Sequence, residues 1–380
     1  MFRATSLAAP RPTSGAAPRF PIAVVGALKT ASGLGESARL CHAALQANGL
    51  TGQGVDIGST LMQPEDYGGL QGGGRVPEGP GTLILHVNSP LVPLAMLHLG
   101  GPVTRGKYIV GCWAWELPVV PPDWRHGASF VHEIWVPSRF VAEAVAGIAG
   151  GRPVRVVPYP VALPSGQGRC ATYAAHRPFT VLTIFNASSS FSRKNPCAAI
   201  QAFRRAFASD TASRLIVKTS NLSAFPKGID LLKDAISGAA NIVLMGDTMS
   251  AAEMDALYQE SDVVMSLHRS EGFGLVLAEA MVRGLPVVAT DWSGNVDFLT
   301  ADTGYPVPYR LIPAEDPQGT YHHPNMLWAE ADVAAAAAAL RRLRDDRALG
   351  TTLGQSAARF ASRAWSAEAY VGAVRQHLGL

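Results

Sequence analysis

Short apolar runs alternate along the chain with longer segments in which apolar positions recur every three or four residues. Runs rich in Val and Ile predict buried strands, and the longer spacing predicts amphipathic helices. Strands that alternate with helices indicate an α/β fold built on parallel sheets. In the first half, the pattern predicts strands over 21–27, 82–87, 107–112 and 133–136 and helices over 35–48 and 139–149.

The same alternation starts again in the second half of the chain. The predicted strands there are 179–185, 214–218, 241–245, 262–267 and 286–290, and the predicted helices are 196–207, 227–236, 251–259, 274–283 and 333–340. Ser366 has the residue type of a helix N-cap and predicts a last helix that runs toward residue 378. The pattern therefore predicts two similar α/β units in tandem.

Chain length and local composition predict where these units begin and end. A chain of 380 residues exceeds the usual size of one domain, and Pro, Gly and Ser concentrate over 157–168. We therefore expect an N-terminal domain over 20–160 and a C-terminal domain over 175–360. Residues 1–19 contain arginines and prolines but no acid, which predicts a disordered tail rather than a transit-type segment, because proline interrupts an amphipathic helix.

Composition narrows the classes to which the protein can belong. Hydrophobic residues make up 48% of the sequence and charged residues 16%, which is enough apolar material for sizeable cores. The net charge is only +3 and no dense basic run occurs, so nucleic acid is not an expected partner. No apolar stretch reaches the about 18 residues of a spanning helix, and we expect a soluble, cytoplasmic protein.

The four cysteines do not predict a metal site. Cys41, Cys112, Cys170 and Cys197 are far apart and form no CxxC pair. Zinc sites commonly bring cysteines together at such short spacings. We therefore expect buried thiols rather than zinc ligands.

Two glutamates are the strongest candidates for chemistry. Glu271 follows the predicted strand 262–267, on a loop at the end of a strand where open α/β sheets bind ligands. Glu279 lies in the predicted helix 274–283 among apolar residues, where a carboxylate is costly unless it is paired. Taken alone, the spacing leaves a second interpretation open, in which both glutamates are solvated surface residues.

The segment from Glu271 to Glu279 resembles the signature of the retaining glycosyltransferases of family 4. That signature places two glutamates, separated by seven residues, around a Gly-Phe-Gly-Leu loop, and the likeness here extends over most of residues 178–305. The resemblance implies the GT-B fold, which is an α/β fold of two Rossmann-like domains with an interdomain cleft. It also implies that a C-terminal helix within 365–380 packs back on the N-terminal domain.

The resemblance assigns roles to individual residues of this segment. Glu271 would contact hydroxyls of the donor sugar, and Glu279 would contact the ribose of the nucleotide. Backbone N–H groups of Phe273, Gly274 and Leu275 would meet the diphosphate, as helix N-termini commonly do. Both glutamates are then groups that orient the donor.

A hydroxyl-rich loop after the first strand of the second unit is the next candidate. A cation there would stabilise the charge that develops on a phosphate leaving group. In the family a lysine and an arginine do this: Lys194 matches the lysine, but Ser188 occupies the position of the arginine. Arg193 and Lys218 are candidates to replace it, and Ser190 is a further candidate contact. A solvated basic loop is the alternative.

The first unit offers weaker candidates. Gly33 and Gly35 form a Gly-x-Gly between a strand and a helix, which suits either a ligand loop or an ordinary tight turn. His86 lies near the end of the predicted strand 82–87 and suits a sugar hydroxyl, or a satisfied buried histidine. Trp113 and Trp115 suit stacking on a sugar face, although tryptophan more often packs in a core.

The resemblance implies transfer of a hexose, with retention, from a nucleotide diphosphate sugar to a saccharide or lipid-linked saccharide in polysaccharide or glycan biosynthesis. The chain has no Asp-x-Asp motif, so we expect no metal. The stretch 293–298 resembles that of polysaccharide mannosyltransferases, which favours GDP-mannose over UDP-glucose. For a lipid-linked acceptor we expect peripheral association with the inner face of the membrane. A nucleotide-sugar epimerase and a non-catalytic sugar-nucleotide-binding protein are the alternatives.

Overall fold

Each half of the chain forms its own sheet and core in a computed structural model, which describes residues 7–68, 74–163, 177–246 and 249–380. One unit comprises Met1–Val161 together with Trp365–Leu380, and the other comprises Ala162–Ala364. The division lies inside the stretch 157–168, whose residues after 163 fall outside the described part, as does Cys170.

Unit 1 is built on a parallel sheet. Its strands are β1 (Ile22–Gly26), β2 (Thr51–Asp56), β3 (Gly81–His86), β4 (Lys107–Cys112), β5 (Glu133–Val136) and β6 (Val154–Val156), and its sheet order is β2-β1-β3-β4-β5-β6. Its helices are α1 (Gly33–Ala47), α2 (Val92–Leu99), α3 (Gly101–Thr104), α4 (Arg125–Ala128) and α5 (Arg139–Ala146). Apolar strand residues such as Val24 and Ile84 pack against α1 through Cys41 and Leu45, so one face of the sheet forms the core.

Unit 2 repeats this architecture on a second parallel sheet. Its strands are β7 (Phe179–Asn186), β8 (Ser213–Ser220), β9 (Ile242–Met245), β10 (Val263–Ser266), β11 (Val287–Thr290) and β12 (Tyr305–Val307), in the order β12-β11-β10-β7-β8-β9. An antiparallel hairpin follows, formed by β13 (Tyr309–Pro313) and β14 (Leu327–Ala331). The helices are α6 (Phe191–Lys194), α7 (Pro196–Phe207), α8 (Pro226–Ile236), α9 (Ala251–Gln259), α10 (Leu275–Val282), α11 (Val333–Asp345) and α12 (Arg347–Ala364).

The order of the strands in unit 2 places its loops. β10 lies between β7 and β11, and all three strands run parallel. The loops that follow parallel strands meet at one edge of the sheet, where open α/β sheets bind ligands. The loop after β7 and the loop after β10 therefore lie side by side.

The last helix, α13 (Ala367–Leu378), belongs to unit 1. The hydroxyl oxygen of Ser366 accepts the N–H of Ala369 at 3.1 Å and begins the helix. Tyr370, Val371 and Val374 then enter the same core as strands β1 and β3. The unit is thus assembled from both ends of the chain.

Residues 7–19, within the predicted tail, make contacts with unit 1. The guanidinium of Arg11 lies 4.0 Å from the centroid of the Phe130 ring, and the backbone N–H of Arg19 donates to the Thr82 hydroxyl at 3.0 Å. Proline favours extended backbone, which suits the proline-containing part of this segment to run along the surface of unit 1.

Two of the remaining expectations concern membranes and cysteines. Among the described residues, no helix combines the length and hydropathy needed to cross a bilayer. The thiols of Cys41 and Cys112 are buried, and that of Cys197 is partly buried; all three are free.

Candidate functional site

Glu271 lies where the loop after β10 meets the loop after β7. The ammonium of Lys194 donates to Glu271 Oε1, and Arg193 Nη1 lies 3.4 Å from the same oxygen. The N–H of Glu271 donates to the Ser293 hydroxyl at 2.8 Å. The Glu271 side chain is 13% exposed, so the carboxylate is enclosed between two cations with a small opening to solvent.

The charges around Glu271 keep it ionised. Burial raises the pKa of this carboxyl, but Lys194, Arg193 and His268 act against burial and together lower the pKa from 4.5 to about 2. At neutral pH the group is therefore a carboxylate that accepts hydrogen bonds. It does not serve as a proton donor.

The backbone beside Glu271 requires two glycines. Gly274 caps helix α10 with φ +101°, a backbone conformation that residues other than glycine adopt only with strain. A Cβ on Gly294 would overlap the carbonyl oxygen of Gly272, and the N–H of Gly294 donates to Glu271 O at 2.8 Å. Leu275 begins the helix, so its first N–H groups are available to an anion.

Phe273 contributes to packing in this loop. Its side chain is buried, and its ring centroid lies 5.4 Å from that of Phe298. The ring therefore anchors the loop, and only its backbone N–H is of the type that the resemblance assigns to the diphosphate.

Glu279 is held by a tyrosine from the neighbouring helix α9. Tyr258 Oη donates to Glu279 Oε2 at 2.7 Å. The guanidinium of Arg283 lies 4.5 Å from the Tyr258 ring centroid, and Arg283 Nε donates to Asp255 Oδ1 at 3.0 Å. A buried network thus orients Glu279, although no sequence signal links residue 258 to residue 279.

The loop 187–194, here called the cation loop, presents its charged residues differently. Arg193 is buried and donates to the carbonyl oxygens of Ser270 and Ser189, each at 2.8 Å. It fixes the cation loop to the loop that carries Glu271. Lys194 is the more exposed cation of the two, at 17%, and it reaches the Glu271 carboxylate.

The other residues of the phosphate prediction lie in different settings. Ser188 is exposed, and its hydroxyl donates to Asn186 Oδ1 at 2.7 Å. Ser190 is buried, and its hydroxyl donates to Asp316 at 2.9 Å. Lys218 is buried on β8, and its ammonium donates to Thr219 O at 2.8 Å. Lys194 therefore has the placement that best suits contact with a ligand.

His268 is a site residue that the sequence analysis misses. It is fully buried; its Nε2 lies 2.9 Å from Asn295 Oδ1 and its Nδ1 lies 3.0 Å from Ser266 Oγ. Burial lowers the pKa of His268. Asn295 also donates to Thr290 O at 2.9 Å, so the pair connects the strand ends of β10 and β11 beneath Glu271.

In unit 1, His86 is buried at the end of β3 and lies 2.9 Å from the Ser37 hydroxyl through Nδ1. The Ser37 hydroxyl donates its proton to Leu34 O at 2.7 Å, so its oxygen accepts the hydrogen bond that His86 Nδ1–H donates. The Nε2 atom then carries a lone pair, has no hydrogen-bond partner among the described residues and lines a small cavity. Burial lowers the pKa of His86 to about 3, which makes it a neutral acceptor.

The other candidates of unit 1 lie at the start of α1 and in the core. A Cβ on Gly35 would overlap the carbonyl oxygens of Thr30 and Ala27, so the glycine permits its own tight turn. Gly33 begins α1 and is exposed. Trp113 and Trp115 are buried against Trp124, with ring centroids 6.0 and 5.1 Å away, and cannot offer a face to a sugar. No cluster of three or more potential metal-ligating side chains occurs in the described part of the chain.

The second half of the chain is similar to a known protein family. Residues 181–346 match the model of the family described as glycosyl transferases group 1. The match lies entirely within unit 2. The matched residues include the cation loop, Glu271, Glu279 and the hairpin. No protein of curated function matches the sequence closely enough to count as a relative.

Solved structures establish the fold of the whole chain as GT-B. Sucrose-phosphate synthase from Thermosynechococcus elongatus superposes with a TM-score of 0.65 at 17% identity, covering 95% of this chain and 99% of that one. HepE from Anabaena, in complex with UDP and glucose, gives 0.64 at 13% identity, covering 94% and 99%. A mutant of TarM from S. aureus, in complex with fondaparinux, alpha-GlcNAc-glycerol and UDP, gives a TM-score of 0.57 at 14% identity over 79% of this chain. The matched part spans only 55% of the length of TarM.

Proposed function

We propose that this protein is a retaining glycosyltransferase that moves a hexosyl group from a nucleotide diphosphate sugar to a saccharide or lipid-linked saccharide in polysaccharide or glycan biosynthesis. The observation that carries the proposal is the Glu271 carboxylate, enclosed by Lys194 and Arg193 beside the first N–H groups of helix α10. These groups offer an acceptor for sugar hydroxyls and donors for phosphate within one loop cluster.

The diphosphate would be bound by Lys194 and by the N–H groups of Gly274 and Leu275. A helix N-terminus favours an anion through its unpaired donors and its dipole, and the glycine allows close approach of the backbone. Lys194 would exchange part of its contact with Glu271 for the phosphate. Because its ammonium is already desolvated and positioned, less reorganisation is needed as charge develops on the leaving group.

The two glutamates would hold the rest of the donor. Glu271, ionised and acceptor-only, would bind hydroxyls of the transferred sugar. Glu279, oriented by Tyr258, would bind the ribose hydroxyls. No residue is assigned as a nucleophile, and catalysis would rest on positioning and on electrostatic stabilisation of the departing diphosphate.

His86 would contribute on the acceptor side, through unit 1. Its neutral ring presents Nε2 as a hydrogen-bond acceptor, which suits a hydroxyl group. A pKa of about 3 makes the ring a weak base. We therefore propose that it orients a hydroxyl that reaches the small cavity beside Nε2, rather than removing the proton of that hydroxyl.

UDP-sugars are the first donors to test and GDP-mannose is the second. HepE and TarM were solved with UDP, which supports uracil, whereas the stretch 293–298 supports GDP-mannose. We place the protein in the cytoplasm, with peripheral association at the inner face of the membrane when the acceptor is lipid-linked.

The experiment measures binding and transfer separately. Thermal shift with UDP-glucose, UDP-N-acetylglucosamine and GDP-mannose identifies the donor, because a ligand of the folded state raises the melting temperature. Transfer from that donor to a panel of saccharide and lipid-linked acceptors is then followed, and the anomeric configuration of the product is read by NMR. Lys194→Ala should lower transfer at least about 100-fold, whereas Lys233→Ala, at an exposed lysine of α8, should not.

Two outcomes would contradict the proposal. Donor binding without transfer to any acceptor would indicate a non-catalytic binding protein, an interpretation that the exposed Ser188 at the usual arginine position favours. Consumption or epimerisation of the donor without an acceptor would indicate an enzyme of another class.

A further inference from the structure

The hairpin of unit 2 is tied to the residues that precede Glu271. β13 and β14 pair from Tyr309 with Ala331 to Pro313 with Leu327, and the residues 314–326 between them are here called the hairpin loop. On the β14 side, the N–H of Ala329 donates to Arg269 O at 2.9 Å, and Arg269 Nη2 lies 2.7 Å from Glu330 Oε2. The hairpin is therefore anchored two residues away from Glu271.

The hairpin loop contacts the cation loop through side chains. The Ser190 hydroxyl donates to Asp316 Oδ1 at 2.9 Å. Gln318 Oε1 accepts the N–H of Phe191 at 2.6 Å, and Gln318 Nε2 donates to Ala187 O at 2.9 Å. Two residues of the hairpin loop thus bind both ends of the turn that precedes Arg193 and Lys194.

Asp316 is a buried carboxylate, only 3% exposed, that the proposed reaction does not use. Besides Ser190, it accepts the N–H of Gln318 at 3.2 Å through Oδ1 and the N–H of Tyr321 at 3.1 Å through Oδ2. A buried carboxylate is unfavourable unless donors surround it, and this one has three. Its hydrogen bonds therefore couple the shape of the hairpin loop to the position of Ser190.

Ser190 transmits this coupling to the cations. Its backbone has φ +70°, which a residue other than glycine keeps only where its surroundings impose it. While its hydroxyl donates to Asp316, the same oxygen accepts the N–H of Arg193 at 3.2 Å. Ser190 therefore connects the hairpin loop to the helical turn that carries Arg193 and Lys194, because its hydroxyl is bonded to both.

We propose that the hairpin loop is a positioning element of the donor site, in which Asp316 and Gln318 hold the cation loop so that Lys194 reaches the diphosphate of the donor. This rests on the proposed function of Lys194. Neither Asp316 nor Gln318 touches the donor. Their loss should weaken phosphate binding and leave contacts to the nucleoside intact.

The test compares ligands that differ by one phosphate. Asp316→Asn places an amide donor against the N–H groups of Tyr321 or Gln318, and Gln318→Ala removes both side-chain bonds to the cation loop. Glu315→Gln, an exposed neighbour in the same loop, is the matched control for the charge change. Calorimetric titrations use UDP and UMP, with GDP and GMP in parallel, on the full chain.

We expect Asp316→Asn to raise the Kd for the diphosphate about tenfold and that for the monophosphate less than about twofold, the size of one lost hydrogen bond to a charged group. Donor KM should rise in proportion. Gln318→Ala should raise the Kd for the diphosphate about fivefold and that for the monophosphate much less. Glu315→Gln should match the wild type. Ser190→Ala combined with Asp316→Asn should add little to either change alone, since both break one linkage.

Equal weakening of diphosphate and monophosphate, or unchanged affinity in folded Asp316→Asn and Gln318→Ala proteins, would overturn the inference. Either result leaves the proposed function standing if wild-type protein binds a diphosphate. Failure of the wild type to bind both UDP and GDP would instead overturn the proposed function.

Discussion

Tyr258 and Glu279 are joined by a hydrogen bond of 2.7 Å from the phenol to the carboxylate. The tyrosine lies on α9, the glutamate on α10, and Arg283 lies against the tyrosine ring. The bond occupies one side of the carboxylate and restricts how the other side can face a ligand. Tyr258 is thus part of the candidate ribose contact without being part of any recognisable motif.

Removal of that hydroxyl should affect ribose recognition selectively. Tyr258→Phe keeps the ring beneath Arg283 and deletes only the donor, so we expect the Kd for UDP to rise about five- to tenfold. The Kd for 2′,3′-dideoxy-UDP should change less than about twofold, because that ligand has no hydroxyls for Glu279. Calorimetry with both ligands checks this; if GDP is the ligand, GDP and 2′,3′-dideoxy-GDP are used instead. Tyr305→Phe serves as the control, and an equal loss for both ligands would argue against the role.

The pKa of Glu271 predicts how stability depends on pH. The carboxyl has a pKa of about 2 when folded and about 4.5 when unfolded, so its stabilising effect is complete above about pH 4.5 and is lost as the pH falls toward 2. This effect is on the order of 3 kcal/mol at neutral pH. Lys194→Met should reduce it, because the largest favourable charge is removed. Urea unfolding of both proteins between pH 7 and pH 3 measures the difference, and parallel curves would refute it.

His86 predicts a second acid-dependent loss of stability in unit 1. Its pKa is about 3 when folded and about 6.5 when unfolded. The unfolded chain therefore binds the proton first, and stability should fall as the pH drops from about 6.5 toward 3. His86→Gln should flatten this slope. The ionisation of His86 should make no contribution to the pH dependence of activity between pH 5 and 8. An NMR titration that showed protonation of the His86 ring near pH 6.5 would contradict this.

Two glycine substitutions should have opposite effects. Gly294→Ala directs a methyl group into the carbonyl of Gly272, so we expect a loss of about 2 to 4 kcal/mol in the free energy of unfolding together with loss of donor binding. Gly372→Ala, on α13 with open space around it, should stabilise by about 0.5 to 1 kcal/mol and leave donor binding unchanged. Urea unfolding and thermal shift with donor measure both. A tolerated Gly294→Ala would show that the loop is looser than described.

The regular elements with strong local signals were predictable from sequence. Helix α7 begins at Pro196 and ends at Phe207, as the pattern predicts, because proline suits the first turn and the apolar residues recur along one face. The strand Thr51–Asp56 was missed, since its Gly and Gln residues interrupt any apolar run. The hairpin was missed because β13 is largely exposed and its pairing with β14 bridges a long loop.

The candidate site likewise combines residues that local sequence patterns indicate with contacts that such patterns do not indicate. Glu271, Glu279 and Lys194 are candidates because they stand at recognisable spacings within a family pattern. The partnership of Ser190 with Asp316 spans 126 residues, and that of Tyr258 with Glu279 crosses two helices. Such contacts depend on how separate elements pack, which local patterns do not report. Side-chain exposure also distinguishes the two cations: Arg193 is buried and joins two loops, whereas Lys194 is partly exposed beside Glu271.

The inclusion of α13 in unit 1 bears on how the protein is made. The core of that unit needs Tyr370, Val371 and Val374, which leave the ribosome only after the whole of unit 2 has been synthesised. Unit 2 is one continuous segment, whereas the sheet of unit 1 keeps an apolar surface uncovered until α13 is available. A released chain that ends near residue 364 should therefore carry a folded second unit and an unfinished first one, which makes such a truncated chain a natural client for chaperones.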